Sequence, residues 1–168
     1  MVICRVQMQK FLPQHVQEIV GYAVKHGYKD IVADAAPLLL AMPLEETVAR
    51  LPVNIVAPWA LYYGAWNRVL RSARSFPLQP RISILRSGGH VPDVPDSGRN
   101  NQVSCGCNVN KQICDILMAL HDVDSLQNLA TVFTLTTTRC KNVTSSLNKW
   151  RQAIETEIGN IKPSITYL

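Results

Sequence analysis

The stretch SCGCNVNKQIC, residues 104–114, carries three of the chain's five cysteines. Thiolates serve as metal ligands and nucleophiles, and thiols pair as disulfides, so this is where the sequence could do chemistry. A structural zinc site takes four nitrogen or sulfur ligands in a tetrahedron, usually from paired knuckles spaced C-x2-C. Cys105 and Cys107 are spaced C-x-C instead, and Cys114 follows seven positions later. Cys140, His90 and His121 could complete a set, but they supply no second knuckle. The competing readings are zinc, a disulfide, and plain packing or exposure. A reduced cysteine is an ordinary small apolar residue, so packing or exposure is the expectation, with no bound metal and no other cofactor.

A nucleophilic cysteine needs a base within reach. His121 lies seven residues beyond Cys114, which on a helix is about 10 Å of rise, too far for a direct pair. Asp115, Asp122 and Asp124 read as helix-end or surface carboxylates. There is no G-x-S-x-G, no P-loop and no G-x-G-x-x-G. Asn142-Val143-Thr144 matches the glycosylation sequon, which has meaning only in a secreted chain. The expectation is a protein that is not an enzyme and has no catalytic, cofactor-binding or metal-ligating residues.

The elements around these cysteines are those of a packed chain. It has 168 residues, of which 47% are hydrophobic and 17% charged, which excludes a disordered polymer. No apolar run approaches the ~20 residues that span a bilayer. The opening MVICRVQMQKFLPQH lacks the apolar core and small-residue cleavage site of a signal peptide. A cytoplasmic or nuclear location with reduced thiols, and no membrane partner, is expected. The net charge is +5, part of it in Arg68, Arg71, Arg74, Arg81 and Arg86. Such a stripe could meet phosphates. Arg68, Arg71 and Arg74 would equally suit the negative end of a helix. With no interleaved aromatics and no known motif, nucleic acid is not the expected partner.

Apolar periodicity predicts helices throughout. Pro13 to Gly27 carries Val16, Ile19, Val20, Ala23 and Val24 at helical spacing, with Gly27 as a C-cap. Asp30 to Ala41 is a second helical stretch, kinked at Pro37 or begun afresh from Asp34 as an N-cap. MPLEETVARLP is a third helix, with Leu44, Val48 and Leu51 on one face. Asn54 can cap a fourth, running to about Ala73 with Pro58 in its first turn. Trp59, Tyr62, Trp66, Val69 and Leu70 form its stripe, read as core. Residues 75–104 hold four prolines and three glycines and read as a linker between two lobes. Val109, Ile113, Ile116, Leu117 and Leu120 mark the next helix. Asp124 with Gln127 resembles a capping box ahead of Leu126 to Phe133. TLTTT reads as an extended connector. Cys140, Val143, Leu147, Trp150, Ile154, Ile158 and Ile161 predict one long amphipathic helix that Pro163 ends. The expected fold is all-α: helical hairpins, then a Pro/Gly-rich linker, then a small three-helix C-terminal lobe.

Several motifs together carry a resemblance. They are YAVKHGY (Tyr22 to Tyr28), AAPLLL (Ala35 to Leu40), PLEE (Pro43 to Glu46) and the W-x3-Y-x2-W run through Trp59, Tyr63 and Trp66. Downstream, SLQNLATVF, NKWRQAIETEI and SITYL follow in order. Most of residues 10–75 and 105–168 resembles the C-terminal portion of BTB/POZ-domain proteins of basidiomycete fungi. The resemblance divides the chain into a BTB C-terminal-like helical region (1–75), a linker (76–104) and a C-terminal helical lobe (105–168). It implies protein–protein interaction as part of an adaptor or scaffold. Other proteins are the implied partners, through self-association or a cullin-type ligase. In the family a C-x-x-C often precedes the W-R helix; here only Cys140 remains, with Val143 at the second position. The family's N-terminal BTB core would precede Met1, so the chain reads as a fragment or a short form. The apolar residues of VICRVQMQKFL are then expected to leave an exposed surface that makes the chain marginally stable or drives self-association; their folding back as a helix on the first hairpin would overturn that expectation. The alternative function is a zinc-binding nucleic-acid- or transcription-associated protein.

Overall fold

The computed structural model describes residues 2–76, 109–134 and 141–162, and among these all regular structure is helical, with no strand. In chain order the helices are α1 (Val2–Phe11), α2 (Val16–Lys25), α3 (Lys29–Leu40), α4 (Leu44–Arg50) and α5 (Val53–Ser75). There follow α6 (Val109–Ala119), a 3-10 helix (Asp124–Asn128), α7 (Leu129–Thr134) and α8 (Lys141–Gly159). The all-α class matches the periodicity. Almost all of the Pro/Gly-rich linker lies outside the described residues, as does the TLTTT connector apart from Thr134, which ends α7.

Backbone chemistry explains the ends of the first helices. After α1, the N–H groups of Gln14 and His15 return to the Phe11 carbonyl at 3.0 and 3.1 Å, so α2 starts at Val16 rather than Pro13. Gly27 closes α2 as expected, with φ +71°. That left-handed conformation is open to glycine, and it lets the Tyr28 N–H reach the Ala23 carbonyl at 2.8 Å.

Of the two readings of α3, the restart from Asp34 is the one the structure overturns. The helix runs through Pro37, and Asp34 is not its cap but a mid-helix residue. Proline removes one bond, the N–H that would reach Ala33, and a proline inside a helix costs about 3 kcal/mol. Against that, α3 buries Ile31, Val32, Ala35, Ala36, Leu39 and Leu40. Burial stabilises by ~1.5–3 kcal/mol for each large aliphatic side chain, so packing outweighs the local penalty. In the same way Pro58 lies in the interior of α5, not its first turn. That helix starts one residue before Asn54, on the Pro52 carbonyl, which accepts the Ile55 N–H at 2.8 Å.

In α4, Leu51 is buried, Val48 half-buried and Leu44 at the surface. The fully buried residue is Thr47, whose hydroxyl donates to the Pro43 carbonyl at 3.0 Å and so satisfies itself within its own turn. Past α6 the capping differs from the expected box. The side chains of Asp124 and Gln127 do meet, at 3.2 Å, but the backbone N–H of Ser125 goes to the Asp122 carboxylate, at 2.9 Å. Gln127 also donates to the Pro37 carbonyl at 3.0 Å, tying the 3-10 turn to α3.

α2 and α3 pack against each other, α1 lies on α3, and α5 packs on α8. Residues from both sides of the linker share one buried cluster: Val20, Ile31 and Trp59 belong to it, and so do Ile116, Leu120 and Ile154. Residues 2–12 do not lie open as expected, because burying Leu12 and Met8 against the hairpin removes apolar surface from water. They form α1 and turn back on the hairpin, with Leu12 buried and Met8 half-buried against the core. Arg5 pairs with Asp30 at 2.5 Å, and Gln9 donates to Asp34 at 3.2 Å. The covering is incomplete: Val6 stays 56% exposed and Phe11 43%.

Candidate functional site

Cys114, on α6, is a free, exposed thiol, as is Cys4 on α1. Cys105, Cys107, Cys140 and His90 lie outside the described residues. Among those described, no group of three His, Cys, Asp or Glu could hold a metal ion. His121 lies just beyond the end of α6. Its Nδ1 is 3.1 Å from the Ala119 carbonyl and its Nε2 is 3.1 Å from Asp122. The Asp122 carboxylate also accepts the Ser125 backbone N–H, at 2.9 Å.

The aromatic stripe of α5 is core, as its spacing predicts. Trp59, Tyr62, Val69 and Leu70 are buried, and Trp66 is half-buried against them. Rings follow one another at 5.5 Å (Trp59 to Tyr62) and 6.3 Å (Tyr62 to Trp66). The indole N–H groups of Trp59 and Trp66 are buried and have no acceptor. A surface cluster of rings escapes the sequence reading: Tyr22 and His26 meet at 4.1 Å with their planes tilted by 35°, and Tyr28 lies about 6 Å from both. Its signal was the i, i+4 spacing of Tyr22 and His26 ahead of the Gly27 turn.

Arg68, Arg71 and Arg74 are exposed on α5, while Arg81 and Arg86 lie outside the described residues. Arg71 donates to the Asn67 carbonyl of its own helix at 3.4 Å. None of the three has a carboxylate partner among the described residues.

A surface shaped to receive a partner lies between α1 and α2. A shallow groove of about 430 Å³ is lined by Gln7, Met8, Phe11, His15 and Ile19. Met8 and Ile19 rest on the core beneath it, and the Phe11 ring carries the Lys10 ammonium 5.7 Å from its centroid. α1 is held in place by polar contacts at Arg5 and Gln9, leaving its apolar side chains partly uncovered. Such a surface offers apolar area to bury and a few polar anchors. No helix among the described residues is long and apolar enough to cross a membrane. Comparison with protein-family models, with curated proteins and with solved structures returns no match.

Proposed function

We propose that this chain is a protein–protein interaction module without catalysis, resembling the C-terminal part of a BTB-type adaptor and acting inside the cell. The observation that carries this reading is the groove along α1, where Met8 and Phe11 present apolar surface beside Ile19. Uncovered apolar area favours association by ~25 cal/mol per Å² removed from water. The simplest partner is a second copy of the chain, and an adaptor's ligase subunit would use the same chemistry. The test is size-exclusion chromatography with light scattering over a dilution series, on the wild type and on Phe11→Glu. Wild-type protein is expected to self-associate as concentration rises, and Phe11→Glu to stay monomeric with an unchanged melt. A wild type that is monomeric throughout, melts cooperatively and binds no apolar dye would overturn the reading.

A further inference from the structure

A second groove lies on another part of the molecule, between α5 and the end of α8. Its volume is about 560 Å³, and it shares no residue with the α1–α2 groove. Ala65, Val69 and Ile161 give it apolar lining. Ser72 and Glu157 also line it, and the serine hydroxyl donates to the glutamate carboxylate at 2.7 Å. Arg68 and Lys162 complete the setting, both exposed. Arg71 and Arg74 continue the cationic side of α5 at steps of three residues, about 4.5 Å of rise each. Two cations, Arg68 and Lys162, thus line the groove beside one carboxylate, and Arg71 and Arg74 extend the positive charge along α5 outside its lining. None of them has an ion-pair partner among the described residues, and Glu157 is engaged with Ser72.

We infer that this groove binds an acidic peptide segment of another protein, one that carries apolar side chains between its carboxylates. Guanidinium groups match carboxylates with two parallel hydrogen bonds, and clusters of arginine are a recurring means of reading acidic motifs. The apolar lining supplies what a purely electrostatic surface lacks, a place for an aliphatic side chain between the charged contacts. That lining holds no aromatic ring, so the stacking that carries single-stranded nucleic-acid binding has no platform here. Glu157 adds selectivity by repelling a carboxylate placed at the Ser72 wall rather than at the arginines.

The experiment uses the full chain and a fluorescein-labelled peptide of glutamates with leucine at every third position, read by fluorescence anisotropy. Two controls are the same peptide with glutamine for glutamate and an oligothymidylate of equal length. Saturable binding of the acidic peptide is expected, weakened about tenfold by Arg68→Glu, by Lys162→Glu and by the neutral peptide. Lys162 lies beyond the last turn of α8, so its replacement tests the charge without touching a helix interior. Phe11→Glu should leave this binding unchanged, which separates the proposal from the α1–α2 reading. No binding of the acidic peptide, binding indifferent to both charge reversals, or tighter binding of the oligothymidylate would each overturn it.

Discussion

The carbonyl of Ala73 sits in the last turn of α5, and the residue four places on is Pro77, which has no N–H to offer it. The indole N–H of Trp150 takes that place, donating to the Ala73 carbonyl at 2.9 Å from a helix 77 positions away in sequence. Phe76 stacks parallel to the same indole at 6.2 Å, and Phe133 meets it edge-on at 5.3 Å. Trp59 is the opposite case, a buried indole whose N–H has no acceptor. Replacement by phenylalanine therefore has opposite polar consequences. At Trp59 it removes an unpaired donor; at Trp150 it leaves a buried carbonyl unpaired. Trp150→Phe is expected to cost about 1–3 kcal/mol more than Trp59→Phe, the penalty of an unsatisfied buried group. Urea unfolding of both variants at unchanged m measures the difference, and equal losses would contradict this account. The apolar stripe of the last helix made Trp150 legible as a core residue. Its donor role was not legible, because nothing local to Trp150 names Ala73.

At the scale of elements, α1 depends on charge more than its neighbours do. Arg5 and Asp30 pair across α1 and α3, and the Arg5 guanidinium also lies 5.8 Å from the centre of the Tyr28 ring. The hydrogen bond from Arg5 holds the Asp30 carboxyl below its ordinary value of 3.8, and the same bond raises Arg5. A lowered carboxyl pKa in the folded state stabilises it above the unfolded value. That contribution is lost as pH falls below about 4 and through the folded value. Both side chains are about half exposed, so the effect is small in energy and screened by salt. It should show locally. Hydrogen exchange corrected for intrinsic rates is expected to reveal loss of α1 protection as pH falls below about 4. α2 and α3 should keep theirs over the same range. Asp30→Asn should loosen α1 already at neutral pH and flatten the pH dependence; an α1 that is equally protected at both pH values in both proteins would refute the role of the pair.

Over the whole molecule, the helices on either side of residues 77–108 bury side chains in one cluster, where Trp59 and Ile31 share a core with Ile116 and Ile154. Shared burial predicts shared unfolding. Thermal melts followed by far-ultraviolet circular dichroism and by tryptophan fluorescence should give coincident midpoints. Ile154→Ala should shift both together, with a loss of about 2–5 kcal/mol. Two separable transitions, only one of them moved by Ile154→Ala, would instead show lobes that fold apart. The sequence by itself determined what depends on neighbours three or four residues away. That covers the helical class, the apolar faces of α2, α5 and α8, and the glycine that ends α2. Tertiary structure decided whatever needed partners 25 to 90 positions apart. Pro37 stays inside α3, Gln127 reaches it, Ser72 meets Glu157, and α1 turns back on the hairpin while leaving Val6 and Phe11 in water. The physical reason is one of magnitude. Local preferences set the period of a segment, but the free energy of burial against distant surfaces exceeds them, and so decides which breaks are tolerated and which faces are left uncovered.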